Sequence, residues 1–370
     1  MKINISKKHL LIKTSFYIFI LIILIGIIPV TRTDTTPILF TKISEISTPG
    51  AFDVNVQNKL VYVSCGYSGL KIFDVNDPYN IKVKSTLSQS GQGYAHYIIM
   101  RDNLAYIGNG KGGLWIVNCS NPNNPTTVAT FTGGLQIYPW DVKLNGDLAY
   151  ITSGFMGGNN PGLFTLNISN PEDISIVDYL PTEDVVVRLE IVENTLFILT
   201  LEPSLTLVNA SIPDELDIIS SFNDVDGLTG YPTDIVIEKD HAFLVSYEGD
   251  TSILNISDYS NIQIITNNFV SSDKMISILV NDTYAFLAAE EDGLYCIDIT
   301  NISNPEILNK YTEINKPYRM FIEGNFLYVI DDDIALIILE LKKDTGQTSF
   351  AVLFMGFSFV ILIIWLNKKR

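Results

Sequence analysis

An aromatic residue returns along this chain at a nearly constant interval, and that return narrows the possible folds more than any other feature. From Tyr62 onward the same position is filled by Tyr106, Tyr150, Phe197, Phe243, Phe286 and Tyr328, at spacings of 44, 44, 47, 46, 43 and 42 residues. Each repeat reads as four short runs. The first alternates apolar residues and ends in a polar turn, as in Ala51–Lys59. The second holds the aromatic marker, the third follows a glycine-containing turn, and the fourth follows an Asx and proline stop, as in Asn124–Phe131. Alternation broken by turn residues every few positions is the all-β signal. A period of this size built from such strands predicts one sheet per repeat and a seven-bladed β-propeller.

Two details of the pattern carry physical expectations. Gly69, Gly113, Gly162 and Gly293 stand just before an apolar residue, where a tight turn between second and third strands needs positive φ. The seventh repeat supplies only three strands, ending near Leu341, while an unmatched run, Pro37–Ser47, precedes the first repeat and reads as a fourth strand. Docking that strand on the last blade closes the ring and removes an exposed sheet edge.

The third-strand segments GLKIFDVNDP, GLWIVNCSNP, GLFTLNISNP and GLYCIDITNISNP resemble the LVIVD family, a surface-protein repeat of bacteria and archaea. TLEPSLTLVNASIP and SYEGDTSILNIS match it loosely. The resemblance covers nearly all of residues 37–341. It implies a β-propeller exposed at the cell surface and carries no catalytic residues to transfer, because the repeat motif is structural.

The two ends read differently from the middle. Residues 1–31 carry an Ile-rich apolar run after Lys2, Lys7, Lys8 and Lys13, the form of a signal peptide or signal anchor. Residues 349–366 are long and apolar enough to predict a transmembrane helix, and Lys368, Lys369 and Arg370 behind it predict a cytoplasmic tail. The intervening propeller, 37–341, with a linker at 342–348, is then expected outside the cell, held at the membrane through its terminal segments. The stretch from Arg32 to Asp344 carries all 41 acidic side chains against 17 of the 24 basic ones. A domain so acidic is a poor partner for nucleic acid. Cys65, Cys119 and Cys296 fall at non-equivalent places and read as buried small hydrophobes.

Propeller topology sorts the turns by face. The loops from fourth to first strands and from second to third strands share one face. Near the starts of the first strands, Tyr94, Tyr138 and Tyr231 share a column. His96 and Trp140 are close by, and Asp53, Asp141, Asp234, Arg188 and Arg319 stand in the column three residues on. Aromatic rings beside charged groups suit sugar or peptide recognition, so a carbohydrate or protein ligand is one reading. The other is packing between blades, with the Asp side chains bonding backbone. Acidic turns on the same face, Glu248, Asp250, Glu290, Glu291, Asp292, Asp331, Asp332 and Asp333, offer oxygen ligands for Ca²⁺, or else are solvated surface. Two insertions, Ser153–Gly162 and Phe222–Tyr231, lengthen this face too.

The opposite face holds six Asn-x-Ser/Thr sequons, at Asn118, Asn167, Asn209, Asn255, Asn281 and Asn301. They read either as glycosylation sites or as turns in which an Asx side chain caps backbone two residues on. Both chain ends leave on this side, through linkers of about seven residues that reach at most ~24 Å. It therefore faces the membrane. Enzymatic signals are poor, since only His96 and His241 serve the whole propeller. The sequence thus reads as an anchored extracellular binding or adhesion scaffold. The alternatives are a metal-assisted hydrolase or lyase built on Asp53, Asp141, Asp234 and His96, and a structural envelope component.

Overall fold

The computed structural model describes residues 37–344, apart from 90, 92, 135–136, 155–159, 203, 224–230, 273 and 332–334. Among them the chain forms seven four-stranded antiparallel sheets. Blade one runs Asp53–Gln57, Leu60–Ser64, Leu70–Asp74 and Lys82–Leu87 in spatial order, and the next five repeat that arrangement. The first strands of successive blades touch in an unbroken circle. It runs from Asp53–Gln57 through Tyr97–Arg101, Val142–Asn145, Val186–Val192, Pro232–Glu238, Met275–Asn281 and Pro317–Glu323 back to its start. These strands line the channel, and the fourth strands, such as Lys82–Leu87, lie exposed at the rim.

The aromatic period has a packing cause. Each marker ring points forward into the core of the following blade. Tyr62 packs with Ile98 and Ala105, Tyr106 with Val142 and Ala149, and Tyr150 with Leu189 and Leu196. Phe197 packs with Ile235, Phe243 with Ile278, and Phe286 with Leu327. Tyr328 completes the circle against Val54 and Val61. Neighbouring twisted sheets diverge, and one large ring per repeat fills the wedge between them.

The closing strand is where the sequence placed it. Ile38–Ser47 pairs antiparallel with Ala335–Lys343, from Ile38 opposite Lys343 to Ser47 opposite Ala335, and completes blade seven. It behaves as a true fourth strand in two further respects. In each of the other blades the fourth strand carries a bulge against the third, between Ile72 and Phe73 or Ile116 and Val117 for example, and the closing strand carries one at Lys42/Ser44. Bulges sharpen twist, which a rim strand needs. The hydroxyl of Ser44 also donates to Pro78 O across the seam, as Ser85 donates to Pro122 O between blades one and two.

The Asx and proline stop is a double clamp. Asp74, Asn118, Asn167, Asn209, Asn255 and Asp298 each accept the N–H two residues on with Oδ1, at 2.7 to 3.0 Å. Three residues after each of five of these, Asp77, Asn121, Asn170, Asp258 and Asn301 do the same. The turn reading of five of the sequons is thereby realised in the geometry. Asn281 instead ends the strand Met275–Asn281.

Gly69, Gly113, Gly162 and Gly293 all take positive φ, between +75° and +148°. A second reason for glycine was not visible in sequence. A Cβ at Gly113 would run into the carbonyl of Phe131 on the fourth strand, and one at Gly293 into that of Tyr311. Cys65, Cys119 and Cys296 are buried free thiols, pushed up to about 12 by burial. Among the described residues no helix is long and apolar enough to cross a membrane. The signal or anchor at 1–31 and the span at 349–366 lie outside the described residues.

Candidate functional site

The innermost ring of side chains is the column Asp53, Tyr97, Asp141, Arg188, Asp234, Ser277 and Arg319, one from each blade. The three carboxylates are buried and stitch blades together. Asp53 Oδ2 accepts Ile98 N–H at 2.9 Å, Asp141 Oδ2 accepts Leu189 N–H at 3.0 Å, and Asp234 Oδ2 accepts Ile278 N–H at 3.1 Å. Each bond runs from one blade to the first strand of the next. The packing alternative for these residues is thus met, with strand backbone rather than loop backbone as the partner.

Asp234 does more. Its Oδ1 accepts Arg188 Nε at 3.2 Å and its Oδ2 accepts Arg319 Nη1 at 2.7 Å, so one carboxylate ties blade five to blades four, six and seven. Deeper in the channel Lys143 Nζ bonds Glu190 Oε1 at 2.7 Å and the Tyr97 hydroxyl at 2.9 Å. Burial pushes Asp53 up to about 7, against the pull of the Ile98 and Val54 N–H groups, and also raises Asp234 to about 7 against the pull of Arg188.

Above this charged plug the channel mouth is aromatic. The residues one position earlier are Phe52, His96, Trp140 and Tyr318 on blades one, two, three and seven, and Val187, Thr233 and Ile276 on the rest. The four rings gather on one side of the mouth and Tyr94 joins them. His96 lies 4.0 Å from Trp140 and 4.6 Å from Tyr94 between ring centroids, and Phe52 lies 4.8 Å from His96 and 6.0 Å from Tyr318. Tyr67, 77% exposed, leans edge-on against Tyr94 at 4.5 Å. Together with Tyr138, Lys111, Gly91 and Gly110 they enclose a cleft of about 910 Å³.

Beneath the rings a void of about 10 Å³, room for about one water, is lined also by Asp53, Tyr97, Arg188 and Arg319. Burial, with the Arg188 charge added, pulls His96 down to about 4, so its imidazole is neutral at physiological pH. The cleft presents ring faces, phenol hydroxyls and a neutral imidazole, and its floor is held rigid by the ion pairs below.

The structure brings Tyr94, His96, Tyr138 and Trp140 into one site and sets Asp53, Asp141, Asp234, Arg188 and Arg319 beneath it. Tyr231 does not join them. It stands on blade five, 59% exposed, with its N–H donating to Glu248 Oε2 at 2.8 Å. The acidic turns are dispersed as well. Glu290 pairs with Lys274 at 2.9 Å, Asp292 with Lys310 and with Ser272 Oγ at 2.7 Å, and Asp331 accepts Lys316 N–H at 3.3 Å. Asp250 bonds Ser246 and Glu291 is exposed. Among the described residues no three His, Cys, Asp or Glu side chains converge as a metal ion requires. Asp332 and Asp333, with 155–159 and 224–230 of the insertions, lie outside the described residues.

Sequence reasoning passed over Phe52, Tyr67 and Tyr318. Phe52 and Tyr318 share the column of His96 and Trp140, so reading that column across all seven repeats would have found them.

The model of the LVIVD repeat matches residues 92–132 and 274–313, which contain blades two and six. The chain therefore carries LVIVD repeats, folded as a seven-bladed propeller. No curated protein matches it. Among solved structures it is similar to the WD40 β-propeller domain of Doa1, with a TM-score of 0.64 and 12% identity over 84% of this chain and 99% of that one. It is also similar to the computationally designed Ika8 protein, with a TM-score of 0.59 and 8% identity over 78% of this chain and 96% of that one. At these identities the likeness is one of fold.

Proposed function

We propose that this LVIVD-repeat propeller is a membrane-anchored binding scaffold that faces the outside of the cell and takes its ligand in the aromatic cleft. One observation carries the reading. Both ends of the described chain leave together on the face opposite the cleft, where Asp344 N–H donates to Pro37 O at 2.8 Å. A propeller held to a membrane by the apolar runs beyond those ends presents its cleft away from the bilayer. Aromatic walls on a rigid floor suit a pocket that is formed before its ligand arrives. The strongly acidic surface keeps such a domain soluble and away from anionic lipid.

The test uses cells that express the full chain with Tyr67→Cys, a position at the cleft rim. The native thiols are buried and raised to about 12, so they are silent toward maleimides. A membrane-impermeant maleimide labels the variant on intact cells if the propeller is outside. Labelling seen only after permeabilisation refutes the reading.

A further inference from the structure

The chemistry of the cleft walls narrows the ligand further, on the premise that the cleft is the binding site. Among the described lining residues Lys111 is the one side chain charged at neutral pH, in a domain that is otherwise densely acidic. A quaternary ammonium or a basic peptide would meet Lys111 at the rim and no carboxylate in the wall, since Asp234 below the floor is already engaged by Arg188 and Arg319. A purely apolar ligand would cover the hydroxyls of Tyr67 and Tyr138 without satisfying them, at a cost for each. Ring faces beside phenol hydroxyls and a neutral imidazole match an uncharged molecule that alternates C–H faces with hydroxyl groups.

Shape points the same way. The rings meet at interplanar angles from 40° to 87°, so they form the sides of a cup rather than one flat strip. A cup takes the end of a chain, stacking its faces on two sides and leaving its edge groups to the phenols, the His96 imidazole and the rim. At about 910 Å³ it stands near the upper end of the ~300–1,000 Å³ spanned by small-molecule sites, so it holds more than one ring.

We infer that the cleft binds the terminal segment of a neutral oligosaccharide, with Trp140 and Tyr94 as the stacking surfaces and Tyr67 as the outer wall. The inference rests on the proposed binding role of the cleft, and its test separates the two.

Full-length protein in a detergent without a sugar headgroup is titrated with fluorescently labelled cello-, malto- and manno-oligosaccharides. Oligogalacturonate and a proline-rich peptide serve as the acidic and peptide probes. Binding of a neutral oligosaccharide is expected, weakened roughly tenfold or more by Trp140→Ala and largely kept by Trp140→Phe. Urea melts show that each variant is folded, and Tyr67→Ala, the most exposed ring, repeats the test where folding is least at risk. If only oligogalacturonate or the peptide binds, and Trp140→Ala weakens it, the sugar class is wrong and the cleft stands. Binding that survives Trp140→Ala, Tyr94→Ala and Tyr67→Ala overturns the cleft as well. No binding by any probe at millimolar concentration overturns the oligosaccharide inference.

Discussion

Removing Asp234 should cost this propeller more than removing any other single side chain in the channel. The carboxylate is 8% exposed, as are Arg188 and Arg319, the two guanidinium groups that it neutralises. Asp234→Ala leaves both cations buried without their partner, and breaking a buried pair from one side costs about 3–5 kcal/mol. The Ile278 N–H loses its acceptor too, for about 1–3 kcal/mol more. Water entering the channel and the nearby Asp53 and Asp141 offset part of this, so a net loss of at least about 4 kcal/mol is expected. A domain stable by about 5–15 kcal/mol would be left marginal.

The assay is urea unfolding at pH 8, above the raised Asp234 range, followed by tryptophan emission. Asp234→Asn keeps an acceptor for Ile278 and should lose less. Replacing Asp234, Arg188 and Arg319 together with Leu or Met should recover most of the loss, because no charge is then left unpaired. A cost below about 1 kcal/mol for Asp234→Ala would refute the assignment of the carboxylate as the hub of the ring.

Three further outcomes follow from the geometry. Deleting Pro37–Ser47 strips blade seven of its fourth strand and bares the edge Ala335–Lys343, so aggregation is expected by size-exclusion chromatography; a monomeric variant with a cooperative melt would contradict the closure. Asp53, moved from 3.8 to about 7, makes stability depend on pH. Between about pH 4 and pH 7 the unfolded chain releases this proton while the folded one keeps it, so stability falls by about 4 kcal/mol as pH rises and is level above pH 7. Asp53→Asn should remove that share of the slope in urea titrations and leave the like share of Asp234, and a slope unchanged by the substitution would place the titration elsewhere. Gly113→Val combines positive φ with a collision against the Phe131 carbonyl and should cost more than about 2 kcal/mol; an unchanged melting temperature would count against the turn.

Much of this architecture was legible in the sequence because local rules repeat. The aromatic period, the turn glycines and the Asx stops each recur in equivalent places, and recurrence turned weak signals into a fold. The closing strand was legible by subtraction, since blade seven lacked a fourth strand and Pro37–Ser47 lacked a blade. What stayed hidden is contact across the channel. Arg319 and Asp234 stand 85 residues apart and meet only because blades five and seven share one axis. The dispersal of the acidic turns was hidden too. Shared sequence character placed Glu248, Glu290 and Asp292 on one face, but each bonds its own neighbours. Tyr231 shares a column with Tyr94 and Tyr138, yet blade five lies away from the aromatic side of the mouth.

The direct test of the proposed anchoring is which face looks at the bilayer. Full-length protein is reconstituted in vesicles with a fluorophore on Tyr67→Cys at the cleft or on Tyr79→Cys, an exposed position on the face where the ends leave. Energy transfer to an acceptor in the lipid headgroups reports the nearer one. Strong transfer from position 79 and weak transfer from position 67 are expected; equal transfer, or the reverse, would contradict the proposed anchoring.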